Sequence, residues 1–226
     1  MSENWKLSPS DLTFLWDECK RCFYLKVRHN FRRPSTAFPK IFGTIDLLMK
    51  DIYLGESTRK MTPSLPEGKA ILSGRWVTSL PLNGSGHFNS CYITGIFDTL
   101  VKFDNDTYGI VDFKTTTPAD HHAGFYGRQL HAYAYALENP APGKLSHGPI
   151  SRMGLLCFDP SRMDEQSPAV LSLQGPAIWM DIPVDMDGFK LFLDEVLTLL
   201  ELPEPPNQSP ECGFCAYRDA ARNTQF

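Results

Sequence analysis

Two carboxylates and one ammonium stand in strand-like text where apolar side chains would be expected. They belong to Gly95-Ile96-Phe97-Asp98 and to Ile110-Val111-Asp112-Phe113-Lys114-Thr115. Side chains alternate across a strand, so Asp112 and Lys114 project from one face. A short turn joins the two runs, and a hairpin of that length sets Asp98 beside Asp112. Adjacent carboxylates repel unless a cation lies between them, and oxygen donors without His or Cys select Mg2+ or Mn2+. A lysine at that place can lean on a water or on a phosphate oxygen. Together these are the parts that hydrolyse a phosphodiester. An Asp-x-Lys alone is weak evidence; its pairing with Asp98 gives it meaning.

A second set of chemistry-bearing residues is sulfur. Four of the six cysteines form two C-x-x-C pairs, Cys19/Cys22 and Cys212/Cys215. Residues 1–30 carry charges throughout and have no apolar signal core, so the pairs point to a metal rather than to disulfides. The pairs stand 189 residues apart. A shared site would clip the two ends of the fold together, which marks it as structural. Cys91 and Cys157 lie in apolar strand text and read as small core residues.

Around these residues the chain is ordinary in composition. It has 226 residues, 42% hydrophobic, 21% charged and 12% aromatic, with a net charge of −4. That length suits one good-sized domain with a core that needs no disulfide scaffold. No apolar run reaches the roughly 18 residues of a membrane span. The expectation is a soluble, cytoplasmic protein that does not enter a membrane.

The elements that must position the site follow from periodicity. Ser8–Asp11 followed by LTFLWDECKRCFYLK reads as an N-capped helix with Leu12, Leu15, Trp16 and Cys19 on one face. Residues 38–53 form a second helical pattern carrying Asp46. Three strand-like runs cover 70–82, 92–103 and 108–116, with turns at 81–86 and 104–107. His121 and His122 fall in a loop after the third run. Then come a helix over 125–137, strands over 151–158 and 177–183, and an amphipathic helix over 189–202. Residues 203–210 are a stiff linker delivering the chain to Cys212. The order implies an α/β (α+β) fold, a mixed central sheet with helices against it.

Charge is unevenly placed. Residues 1–50 hold nine Lys/Arg against five Asp/Glu, and the remainder 13 against 21. Lys20, Arg21, Lys26, Arg28, Arg32, Arg33 and Lys40 are interleaved with Phe23, Tyr24, Phe31 and Phe38. Such a strip can hold a phosphate backbone and stack bases; equally, it is the solvated side of an amphipathic helix.

G-x-x-D, about a dozen residues, then an apolar run ending D-x-K, resembles the pattern of the PD-(D/E)XK nucleases. Gln129 and Tyr133, in QLHAY, resemble the Q-x-x-x-Y motif of the RecB-like branch. At i, i+4 on a helix they share a face. LSPSDLTFLWDECKRCFYLK is similar to the opening helix of RecB-like nucleases that carry an iron–sulfur cluster, and ECGFCAYRDAAR to their C-terminal segment. Such proteins include the AddB nuclease domain and the RecB-like exonucleases of CRISPR adaptation. The resemblance implies a restriction-endonuclease-like fold whose N- and C-terminal segments are joined by a four-cysteine metal site. It implies one nuclease domain over 1–226, with a catalytic core over 69–185 and cysteine-bearing segments 1–60 and 186–226 packed together.

In that likeness Asp98, Asp112, Lys114, Gln129 and Tyr133 are catalytic. Mg2+ or Mn2+ is held by Asp46, Asp98, Asp112 and the Phe113 carbonyl, and Lys20, Arg21, Arg28, Arg32, Arg33 and Arg128 meet DNA. Cys19, Cys22, Cys212 and Cys215 hold a 4Fe–4S cluster, with Zn2+ the alternative for two paired knuckles. The chain departs from the family twice. Ala220 and Ala221 stand near the place of the last C-terminal cysteine, with Cys22 as an extra N-terminal thiol, and Asp46 stands where many relatives have a metal-binding histidine.

The expected function is a metal-dependent DNA nuclease, an exonuclease preferring single-stranded DNA and working beside a helicase, integrase or other DNA-processing subunit. The alternatives are a non-catalytic DNA-binding or assembly subunit that retains the fold, and a zinc-stapled interaction module. No phosphate-binding Gly-rich loop or Ser-His-Asp arrangement is evident.

Overall fold

The computed structural model describes residues 2–35, 37–84 and 86–224. The chain begins with a short strand, β1 (Asn4–Leu7), and a wide i→i+5 helical turn over Asp11–Leu15 that runs into α1 (Trp16–Glu18). Next come α2 (Lys20–His29) and α3 (Lys40–Tyr53). The strands β2 (Gly68–Thr78), β3 (Ser90–Phe103) and β4 (Tyr108–Thr115) precede α4 (His121–Glu138). After β5 (Ile150–Phe158), β6 (Arg162–Ser167), β7 (Val170–Gln174) and β8 (Ala177–Ile182), the chain closes with α5 (Met186–Leu200) and α6 (Gly213–Arg222).

Six strands make one mixed sheet in the order β1-β3-β4-β5-β8, with β2 also on β3. β1 runs parallel to β3, and β4 parallel to β5, while the remaining pairs are antiparallel. A parallel β4–β5 pair needs a long crossover, which α4 supplies. Helices cover both faces, so β4 and β5 read as nearly continuous apolar runs. One core cluster joins the sheet to α2, α4 and α5 through residues such as Phe23, Phe97, Leu130 and Leu193; a smaller one seats Ile45 and Met49 of α3 on Val111 and Phe113. The architecture is the mixed sheet with flanking helices that the element order implied. Among the described residues no helix is long and apolar enough to cross a membrane.

One edge of β3 creates the opening for the site. Cys91 exchanges both backbone bonds with Leu82, on the side that β2 continues. β1 and β4 therefore share the opposite edge, β1 pairing with residues 90–93 and β4 with residues 99–102. Between them residues 94–98 have no strand partner on that edge among the described residues.

Several local expectations need correction. The first helix is not continuous: Cys19 is extended (φ −165°, ψ 107°), and α2 starts afresh after it. Cys19 is thus the extended residue before α2, and Cys22 lies in the first turn of that helix. His121 and His122 are not in a loop but in the first turn of α4, which starts four residues earlier than the apolar pattern. β1, the β6–β7 hairpin and α6 had no clear periodic signal, being short or polar.

Candidate active site

Asp98 sits where β3 and β4 part. The ladder ends at Thr99↔Val111, one residue short of the Asp98 and Asp112 level. There the Phe113 N–H donates to Asp98 Oδ2 at 2.9 Å, so a side chain takes over from the strand ladder. The Ser73 hydroxyl donates to the Asp98 backbone carbonyl (2.7 Å) and fixes the strand from its other edge. Gly95 of the G-x-x-D run is there for close approach: a Cβ would lie 2.8 Å from the Pro9 ring and 3.3 Å from Tyr133. That packing brings the N-terminal segment and α4 against β3 beside the site.

Asp112 is 2% exposed and carries the strongest electrostatic stress in the cleft. Burial, with the nearby Asp98 carboxylate, pushes its carboxyl up to about 7, although the Lys114 ammonium works in the opposite direction. Lys114, two residues on and on the same face, forms an ion pair with Asp112 Oδ2. That partner more than offsets burial, so Lys114 is held above the usual lysine range. Its ammonium also lies 4.6 Å from the centre of the Tyr126 ring.

α4 presents the next layer. The Gln129 amide donates to the Tyr133 hydroxyl at 3.3 Å, one helical turn away. Burial raises the Tyr133 phenol well above its ordinary value, so it stays protonated. One buried oxygen here has no hydrogen-bond donor, Gln129 Oε1, whereas Asp112 Oδ2 is met by the Lys114 ammonium. Orphaned acceptors cost free energy unless something electropositive reaches them.

Asp46 comes from α3. It lines the same cleft of about 570 Å3 as Asp98, Asp112, Phe113, Lys114 and Gln129. Its Oδ2 accepts from Lys50 Nζ at 2.7 Å, and the same ammonium lies 2.8 Å from Asp98 Oδ1. Three carboxylates, one orphaned amide oxygen and no sulfur or imidazole form a donor set suited to a hard divalent cation. Phe38, read in the sequence as part of the basic aromatic strip, reaches this cleft, as do Lys50, Tyr126, Phe14 and Phe42, which the sequence did not single out. Two of them had a signal: Lys50 is four residues after Asp46, and 126, 129 and 133 share one helix face.

The basic residues expected to meet DNA are largely engaged by the chain itself. Arg28 donates to the carbonyls of Leu200 (3.1 Å) and Leu202 (2.8 Å) at the end of α5, and to the Tyr24 hydroxyl. These bonds tie its Nη1 to the end of α5 and to α2. Arg33 pairs with Glu18 and donates to Cys212 Sγ at 3.4 Å. Arg128 donates to Asp17 at 2.6 Å, and Lys20 lies 3.2 Å over the Trp16 ring. Arg21 faces Asp219 at 3.9 Å, and among the described residues Arg32 donates to the Asn30 side chain. His131 is structural too: the Asp185 N–H donates to its Nε2 (2.8 Å), which leaves Nδ1–H to donate to the Gly127 carbonyl (2.7 Å).

The four paired cysteines meet across the termini. Their sulfurs all lie within 4.8 Å of one another, and all four residues are buried. Cys19 is drawn down to about 7 against the effect of burial, by the backbone N–H groups of Ser209 and Cys22 and by neighbouring thiols.

Comparison with known proteins adds the following. A family model described as the PD-(D/E)XK nuclease superfamily matches residues 59–220, a span that holds Asp98 through Tyr133 and the second cysteine pair. The crystal structure of SSO0001 superposes with a TM-score of 0.49 at 15% identity, over 97% of this chain and 86% of that one. No curated protein matches the sequence.

Proposed function

The chain belongs to the PD-(D/E)XK nuclease superfamily, and on that premise we propose that it is a Mg2+- or Mn2+-dependent deoxyribonuclease acting as an exonuclease on single-stranded DNA. The observation that carries the reading is the shared cleft of Asp46, Asp98, Asp112 and Lys114, with the buried Gln129 Oε1 lacking a donor. Asp46, Asp98 and Asp112, with the Phe113 carbonyl, would hold the cation. When bound, it polarises the scissile phosphate and offsets the charge that builds there.

The chain's own groups do the rest. Lys114 orients the attacking water and stabilises developing negative charge on the phosphate, while Asp112 fixes the direction of its ammonium. Gln129 offers its free Oε1 to the cleft and is oriented by Tyr133. Water attacks phosphorus and the 3′ oxygen leaves, giving a 5′-phosphate and a 3′-hydroxyl, as the likeness implies. The preference for single strands is supported by Phe14, Phe38 and Phe42, exposed rings at the mouth of the cleft on which unpaired bases can stack.

Finer points rest on the resemblance. The RecB-like branch is favoured by the order of G-x-x-D, D-x-K and Q-x-x-x-Y between the cysteine pairs. We take 1–226 as one nuclease domain, with 69–185 as catalytic core and the end segments packed together. We place the reaction in the cytoplasm, beside a helicase, integrase or other DNA-processing subunit. Of the basic residues, Arg32 is the one whose surroundings best suit a phosphate contact. A second reading, a non-catalytic DNA-binding subunit, is favoured by one observation: Lys50 already neutralises Asp46 and Asp98.

The test is a digestion time course on end-labelled single- and double-stranded DNA with Mn2+. Asp112→Ala and Lys114→Ala should each abolish degradation while leaving the circular dichroism spectrum unchanged. Equal activity in the wild type and both variants would overturn the proposal; salt-sensitive DNA binding without any cleavage would establish the second reading.

A further inference from the structure

The sulfur quartet has a size. Cys22 Sγ lies 3.5 Å from Cys215 Sγ and 3.7 Å from Cys212 Sγ, and Cys19 Sγ lies 3.9 Å from Cys215 Sγ. No pair among the four exceeds 4.8 Å. We propose that these cysteines hold a single zinc ion, and that this chain has replaced with zinc the 4Fe–4S cluster that its family resemblance implies.

The geometry separates the two. Four thiolates at about 2.3 Å from one zinc form a tetrahedron with edges of about 3.8 Å, which is the scale observed. A four-iron cube puts one iron inside each thiolate, so its sulfur tetrahedron is wider by a full iron–iron separation. The quartet does not fit that group. It would have to expand on every edge.

The surroundings oppose such expansion. Cys19 and Cys212 are the extended residues that precede α2 and α6, and Cys22 and Cys215 lie in the first turns. Each pair is thus a turn-then-helix knuckle, and the two face each other in a two-plus-two arrangement. Arg33 ties them: it pairs with Glu18 beside the first knuckle, donates to Cys212 Sγ of the second at 3.4 Å, and lies 4.7 Å over the Phe214 ring. Its positive charge also offsets the net −2 of one zinc with four thiolates. Widening the quartet would separate the groups that Arg33 joins.

The inference stands apart from the nuclease reading, since metal content is measured without an activity assay. The full chain would be produced in medium containing both iron and zinc and purified without oxygen, so that a cluster, if formed, survives. Elemental analysis should return about one zinc per chain with iron far below it, and the solution should be colourless. Removing the zinc with a chelator should lower Tm, and restoring zinc should recover it. Cys215→His should keep the zinc, because Cys3His is also a zinc site. A brown protein with iron and sulfide in excess of zinc would overturn the proposal, as would a folded protein containing neither metal.

Discussion

Lys50 Nζ lies 2.8 Å from Asp98 Oδ1, reaching from α3 to the point where β3 and β4 separate. The same ammonium bonds Asp46 at 2.7 Å, so one lysine neutralises two of the three carboxylates in the cleft. Burial pulls Lys50 down, but Asp98 and Asp46 outweigh it, and the amine remains charged. Lysine and divalent cation therefore contend for the same oxygens.

Replacing that lysine should show the competition directly. In Lys50→Met the carboxylates lose their internal counter-ion, and the metal-free protein should lose about 2 kcal/mol, less than a fully buried pair because Asp46 is partly solvated. Mn2+ should restore the loss and bind at least several-fold more tightly than to the wild type. Calorimetric Mn2+ titration and melting with and without metal check both parts. Unchanged Mn2+ affinity would mean that the ion and the lysine use different oxygens.

Asp112 makes the site's pH dependence unusual. Its carboxyl is raised to about 7, chiefly by burial and then by Asp98, against the help of Lys114. A carboxylate in the unfolded chain titrates near 4. Between those values the folded state binds the extra proton, so stability without metal falls as pH rises from about 4 to 7. With Mn2+ present the sign reverses, because the cation binds the ionised form and must displace the proton below about pH 7. Melting curves across this range should show Tm declining without metal and the Mn2+-induced gain in Tm growing. A metal-free Tm flat over the interval would place Asp112 in a more solvated setting.

How much of this could be read from residues alone depends on the range of the interaction. Asp112 and Lys114 were legible because a two-residue alternation decides their face, and Gln129 with Tyr133 because a helical turn does. The cysteine quartet was legible because thiols in paired spacing have few other uses. Lys50 was harder to find, since what makes it matter is Asp98, 48 residues away and on another element. The setting of Arg28 was hidden for a related reason: the carbonyls of Leu200 and Leu202 that it caps arrive from the far end of the chain. β1 was missed because four residues carry too little pattern; its partner, the start of β3, lies some 86 positions on.

On the proposed preference for single strands, the rings at the cleft mouth would select the strand form. Phe38 and Phe42 have centroids 5.7 Å apart, Phe14 packs edge-on to Phe125 at 5.0 Å, and Phe42 is 39% exposed. A ring so placed keeps part of its surface free and gains about 1–3 kcal/mol from each base it stacks. Paired bases are already stacked on their neighbours and have no free face to offer it. Phe42→Ala should therefore raise KM for single-stranded DNA by roughly 5- to 100-fold while kcat stays within about twofold. Any cleavage of blunt duplex ends should change far less. Steady-state rates on matched end-labelled single and double strands read both effects, and the variant's melting temperature should match the wild type. If kcat falls with KM unchanged, the ring acts instead by holding α3, and with it Asp46, against the sheet.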